Sequence, residues 1–132
     1  MKRSNFKIAL IDLNHMTKGV HTNTVPLGLG LIAAYLKKNL KGSFNVRIFK
    51  NPHIFLSALK EWKPDVLGIT QYSWNSELNL YMSALVRKIN PDCFIVAGGP
   101  NLPLSSVEKT NYLRNHSQVD LCAKYDGDIP FT

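Results

Sequence analysis

The run Ile95 to Asn101, IVAGGPN, has the residue types to bring bare backbone up to a ligand. Glycine has no Cβ, so Gly98 and Gly99 can take positive φ and let a large flat or anionic group lie against the main chain. Pro100 ends the strand and stiffens the loop that carries Asn101. Alone, such a stretch is equally well a tight turn. Two other segments share its character: Thr70 to Asn75, with Thr70, Tyr72, Ser73, Trp74 and Asn75, and the polar stretch from Asn14 to Gly28, with Asn14, Thr24, Val25 and Gly28. Each is richer in Gly, Asn, Thr or aromatics than the apolar run it follows. The chemistry this allows is binding. No three-cysteine cluster motif, paired-carboxylate site or nucleophile–base pair is present, so the chain alone is expected to be inert.

The elements that must position these segments follow from periodicity. Phe6 to Leu13 is an apolar run of strand length. From Leu27, apolar residues at Leu29, Ile32, Ala33, Leu36 and Leu40 predict an amphipathic helix opened by Pro26 and closed by Gly42. Phe44 to Phe49 alternates, as a strand near a sheet edge does. Asn51 and Pro52 then form a cap and first turn for a short helix with a stripe of Phe55, Ala58, Leu59 and Trp62. Val66 to Thr70 reads as a buried parallel strand. A helix from Asn75 or Ser76 is expected to bury Leu78, Tyr81, Met82, Leu85 and Ile89, and Cys93 to Ala97 forms the next strand. Ser105 and Glu108 have capping-box spacing for a weaker helix to about Asn115, and Val119 to Tyr125 is the last strand. Alternating strands and helices with short turns give an α/β fold, a doubly wound, five-stranded parallel sheet of flavodoxin-like (Rossmann-like) order 2-1-3-4-5. In such sheets ligands bind beyond the carboxyl ends of the strands, where the three segments converge. The Lys63-Pro64-Asp65 and Asn90-Pro91-Asp92 turns fall at the opposite end and read as structural.

Composition sets the limits. The chain has 132 residues and 45% hydrophobic content, which suits one domain. Sixteen Lys and Arg against nine Asp and Glu give a charge of +7, but the basic residues are scattered, so a nucleic-acid partner is not expected. Cys93 and Cys122 lack metal-ligand spacing and read as reduced core residues. With no apolar run near the ~20 residues of a membrane span and no signal-peptide cleavage pattern, the expected location is the cytoplasm, without a membrane partner.

Several stretches resemble the cobalamin-binding domain at the amino-terminal end of radical S-adenosylmethionine enzymes. These are PLGLGLIAAYL (Pro26 to Leu36), KPDVLGITQYSWN (Lys63 to Asn75), NPDCFIVAGGPN (Asn90 to Asn101) and YDGDIPF (Tyr125 to Phe131), the last bringing Asp126 and Gly127 into the candidate set. The resemblance covers essentially the whole chain. It implies a domain, residues 1–132, that binds cobalamin as the cofactor domain of a radical S-adenosylmethionine methyltransferase or related enzyme. The iron–sulfur cluster and S-adenosylmethionine would belong to a following or partner domain, in cis or in trans. It also implies that Gly98 and Gly99 form the slot for the nucleotide tail. Thr70, Ser73 and Asn75 would hydrogen-bond tail or corrin amides, and Tyr72 and Trp74 would offer apolar area.

Broader cobalamin domains carry D-x-H-x-x-G, then S-x-L, then a Gly-Gly pair. With Thr70-Gln71-Tyr72 at the second motif, the interval to Gly98-Gly99 is close to the family's. With Gly28 as the glycine of the first motif, Val25 stands where the cobalt-ligating histidine would be and Asn23 where the aspartate would be. Asp12 and His15 are offset by three and do not restore it, so no metal-ligating residue is assigned. Other modules share the topology. A nucleotide- or flavin-binding module is the alternative: Gly28-Leu-Gly30-Leu-Ile-Ala33 has G-x-G-x-x-A spacing, but a polar loop intervenes before it and Lys50 stands where an acidic residue should end strand 2. A receiver module would need a phosphoacceptor Asp where Gln71 and Tyr72 stand.

Overall fold

The computed structural model describes residues 5–16 and 25–123. Five parallel strands, β1 (Phe6–Ile11), β2 (Phe44–Phe49), β3 (Val66–Thr70), β4 (Phe94–Gly98) and β5 (Leu121–Cys122), form one sheet in the order β2-β1-β3-β4-β5. They alternate with α1 (Leu27–Asn39), α2 (Pro52–Glu61), α3 (Ser76–Ile89) and α4 (Ser106–Asn115). This is the fold class and strand order expected from the sequence.

Side-chain alternation splits β1 between two cores. Ala9 and Ile11 join Phe49, Phe55, Leu59, Leu67, Ile69, Val86, Ile95 and Ala97 in the larger core, against which α2, α3 and α4 pack. Ile8 and Leu10 turn the other way, onto Leu29, Ala33 and Leu36 of α1. Residues two apart in a strand share a face, so this division is fixed by the pleat. Among the described residues α1 is the one helix on its face. It covers Ile8 and Leu10 of β1, and no other described helix lies on the face of Gly68 and Gly98.

Local signals account for most element ends. The Asn51 side chain accepts hydrogen bonds from the His53 and Ile54 amides at 2.9 and 3.2 Å, and Pro52 occupies the first helical position. The Ser105 hydroxyl oxygen accepts from the Glu108 amide at 3.2 Å and donates to the Glu108 carboxylate at 2.8 Å. Trp62 lies just past α2, packed near Phe49 and covered by the Arg47 guanidinium 4.6 Å from its ring. Both Pro-Asp turns lie at the amino ends of the strands: Asp65 accepts from the Lys7 amide at 2.9 Å, and the Asn90 side chain donates to the Pro64 carbonyl at 2.9 Å. Arg87 ties this end together, donating to the carbonyls of Pro91, Cys93 and Gln118 and to the Asp120 carboxylate.

Four expectations need correction. The ladder of β1 stops at Ile11, although the chain continues beside β2: the Asp12 amide donates to Phe49 and the Asn14 amide to Lys50. β4 spans Phe94–Gly98, one residue later than expected, with Cys93 buried in the turn before it. In α3 the buried residues are Asn79, Leu80, Met82, Ser83 and Val86, whereas Tyr81 and Ile89 are exposed. Counting apolar residues misplaces that face because two polar side chains belong to it. The Ser83 hydroxyl donates to the Leu80 carbonyl, and Asn79 is satisfied by the ends of β1 and β3. β5 is only Leu121–Cys122, with the expected Val119, Asp120 and Ala123 outside its ladder, and the expected residues Lys124 and Tyr125 lie outside the described residues.

Candidate functional site

At the carboxyl end of the sheet, β1 and β3 deliver Asp12 and Thr70 side by side, and the start of α3 delivers Asn75 and Asn79 behind them. The Thr70 hydroxyl donates to Asp12 Oδ1 at 2.9 Å, and Asn75 Nδ2 donates to the same oxygen at 2.7 Å. Asn79 Nδ2 donates to the Thr70 carbonyl at 2.7 Å and to Thr70 Oγ1 at 3.0 Å, while its Oδ1 accepts from the Leu13 amide at 3.3 Å. Asn75 Oδ1 accepts from the Tyr72 amide at 3.2 Å. Asn75 and Asn79 are wholly buried, so every polar atom they hide must have such a partner.

A second set of bonds joins the loop after β3 to the loop after β4. The Gln71 amide donates to the Gly98 carbonyl at 2.7 Å, and the Asn101 amide donates to the Gln71 carbonyl at 2.8 Å. Gln71 is buried, its Nε2 donating to the Thr70 carbonyl and its Oε1 accepting from the Tyr112 hydroxyl at 3.1 Å. Burial pushes the Tyr112 phenol well above its ordinary pKa, which keeps that donor protonated.

The glycine pair divides its roles more sharply than expected. Positive φ is found at Gly99, at +120°, and not at Gly98. A Cβ on Gly99 would stand 2.9 Å from both the backbone nitrogen and carbonyl oxygen of Gln71, so its bare backbone admits the neighbouring loop. Among the described residues, a Cβ on Gly98 would meet only Ala123 Cβ, at an ordinary 3.7 Å. Gly98 is therefore the open position of the pair.

Above Gly98 lies a cleft of about 1130 Å³. Its floor is Leu10, Gly68, Val96, Gly98 and Ala123; Val25, Pro26, Leu27, Gly28 and Leu31 form the α1 wall, and Gly99, Pro100, Leu102 and Leu104 the wall beyond β4. Tyr72 and Trp74 also line it, their rings stacked 4.6 Å apart at 4°, with Trp74 60% exposed. Asp12 and Lys109 are the charged groups among its described lining residues. A mostly apolar cleft with few polar groups suits an organic ligand, and its size is above the roughly 300–1,000 Å³ of ordinary small-molecule pockets. A floor bare at Gly68 and Gly98 beside a flat aromatic pair fits a wide macrocycle with a tail.

Of the candidate residues, Val25, Gly28, Thr70, Tyr72, Trp74, Gly98, Gly99 and Pro100 are brought together around this cleft. Asn14, Ser73, Asn75 and Asn101 do not line it; Ser73 and Asn101 are exposed, and the Asn75 amide is committed to Asp12 and Tyr72. Thr24, Asp126 and Gly127 lie outside the described residues. Asp12 and Gly68 line the cleft although neither belonged to the candidate set. The glycine inside the apolar run VLGIT was the available signal for the second, since a mid-strand glycine marks close approach.

Cys93 and Cys122 are free thiols. Burial pushes Cys93 up to about 12, and burial also raises Cys122, against the opposing charge of Lys109. Among the described residues no group of three His, Cys, Asp or Glu is placed to hold a metal ion, and no helix is long and apolar enough to cross a membrane.

Comparison with known proteins agrees with this geometry. The cobalamin-dependent radical SAM methyltransferase TokK of Streptomyces tokunonensis is 27% identical over 81% of this chain and 16% of its own length. The 2-(S-pantetheinyl)-carbapenam-3-carboxylate methyltransferase of Streptantibioticus cattleyicolor is 26% identical over 98% of this chain and 18% of its own. The chain thus spans less than a fifth of these curated relatives. Among solved structures, a cobalamin-binding protein from Desulfitobacterium hafniense DCB-2 superposes with a TM-score of 0.62 over 93% of this chain and 54% of that one, at 15% identity, a likeness of fold. The model of the B12 binding domain family matches residues 16–129. The chain belongs to the B12-binding domain family.

Proposed function

We propose that the cleft above Gly98 holds cobalamin, and that the domain serves a radical S-adenosylmethionine methyltransferase or related enzyme as its cofactor domain. The observation that carries this reading is the floor bare of side chains at Gly68 and Gly98, opening beside the stacked Tyr72 and Trp74. Gly98 and Gly68 would lie under the nucleotide tail, and the aromatic pair would offer a flat apolar surface to the ring. Bound cobalamin supplies a cobalt centre that carries a methyl group or an electron. The chain's own residues bind and orient it; the cluster and S-adenosylmethionine would come from another domain, in cis or in trans. The two methyltransferase relatives support this assignment.

A nucleotide- or flavin-binding module is not favoured. Gly28 and Gly30 lie inside α1, whereas a phosphate-binding turn needs its glycines ahead of the helix. Absorbance titration of the purified chain with hydroxocobalamin, FMN and NADPH separates the readings. Saturable spectral change with hydroxocobalamin alone is expected. Saturation with FMN or NADPH and none with the corrinoid would move the assignment to the alternative.

A further inference from the structure

We propose that Asp12 is a specificity-determining residue of the cleft: its outer carboxylate oxygen accepts a hydrogen bond from a peripheral carboxamide of the bound corrinoid and so selects amides over carboxylates there. This rests on the cobalamin reading above. Asp12 lines the cleft, and its Oδ1 accepts from two described donors, the Thr70 hydroxyl at 2.9 Å and Asn75 Nδ2 at 2.7 Å. Among the described residues no donor reaches Oδ2.

The direction of the hydrogen bonds narrows the choice of ligand contact. Asn79 Nδ2 donates to Thr70 Oγ1, so the Thr70 proton is spent on Asp12 and the hydroxyl has none to offer a ligand. The Asn75 amide is buried and committed in the same way. What the network presents to the cleft is therefore an acceptor, fixed in place from behind. A carboxylate oxygen is an acceptor, and Oδ2, with no described donor, can take one from the ligand. The rim of a corrin carries primary carboxamides, which are neutral N–H donors. A carboxylate at the same point would face Asp12 charge to charge.

The test compares the full 132-residue chain with Asp12→Asn, using hydroxocobalamin and the set of its monocarboxylates in which one peripheral carboxamide is hydrolysed. Asparagine keeps an Oδ1 to accept from Thr70 and Asn75 and turns the outer atom from acceptor to donor. The wild-type chain is expected to bind one monocarboxylate at least about tenfold more weakly than hydroxocobalamin. In Asp12→Asn, hydroxocobalamin should weaken about 10- to 100-fold, the range for a hydrogen bond to a charged group. The discrimination against that monocarboxylate should vanish or reverse. A merely structural role would weaken all ligands alike and leave the ratios unchanged, which overturns the proposal. Should the variant not fold, as read by thermal unfolding, equal binding of all the monocarboxylates by the wild-type chain overturns it as well. No corrinoid binding by the wild-type chain would instead overturn the reading of the cleft, and this proposal with it.

Discussion

Gly99 and Gln71 touch backbone to backbone: a single added carbon at Gly99 would stand 2.9 Å from the Gln71 nitrogen and oxygen. Neither group can retreat cheaply, because the Gln71 amide is bonded to Gly98 and its carbonyl to Asn101. Gly99→Ala should therefore destabilise the fold by about 2–4 kcal/mol, combining this clash with the roughly 1–2 kcal/mol of left-handed backbone strain. Gly98→Ala should stay within about 1 kcal/mol of the parent, since among the described residues its Cβ meets only an ordinary contact. Urea unfolding of the two variants reads the difference, and equal losses would contradict it.

Tyr112 reaches across from α4 to satisfy Gln71, so Tyr112→Phe leaves a buried acceptor without its donor. A loss of about 1–3 kcal/mol is expected. Hydrogen exchange should show the effect concentrated at the amides of Gln71 and Asn101. A uniform change across the sheet would mean that the bond does not clamp the two loops.

The pH response at the alkaline end follows from Cys93. Its thiol is raised from 9.0 to about 12, chiefly by burial, so the folded chain holds a proton that the unfolded chain releases first. That contribution is complete below pH 9 and is lost as pH rises towards 12. Tyr112, raised by the same cause, works in the same direction at higher pH. Chemical denaturation from pH 8 to 11 should show stability falling, with a shallower fall in Cys93→Ala; parallel curves would exclude this thiol as a source.

The strand order, the approximate places of the apolar runs and the meeting of Thr70, Tyr72 and Trp74 with Gly98, Gly99 and Pro100 at one end of the sheet, beside Val25 and Gly28, were readable from the sequence. Each rests on periodicity or on Gly, Pro and Asn at turns. The hydrogen-bond network was not readable, because it depends on how α3 is rotated. Asn79 and Ser83 interrupt the apolar stripe, so counting hydrophobic residues turned the helix towards Tyr81 and away from Thr70. Asp12, set aside in the motif comparison, is a related case. Its place in the cleft comes from following β1 on the side of Leu10 and accepting from Thr70, not from any spacing to a histidine. The slot was placed at both glycines, since sequence does not say which of two adjacent glycines faces a neighbour and which faces space.

The lower face of the cobalt gives a spectroscopic prediction. We propose that Val25, which lines the cleft and has no donor atom, takes the place of the family's histidine. Cob(II)alamin bound to the chain should show an electron paramagnetic resonance spectrum without the triplet splitting that one axial nitrogen produces. Triplets that disappear in His15→Ala or His21→Ala would make that histidine a ligand and reverse the assignment.

The location of the cofactor is tested most directly by hydroxocobalamin titration of Gly98→Phe beside the parent chain. The substituted ring enters the cleft from its floor, where the first side-chain atom has room. With unfolding curves confirming that both proteins are folded, the parent should bind saturably and Gly98→Phe should lose at least about a hundredfold in affinity, the equivalent of roughly 2.7 kcal/mol. Undiminished binding by folded Gly98→Phe would place the cofactor elsewhere and contradict the account.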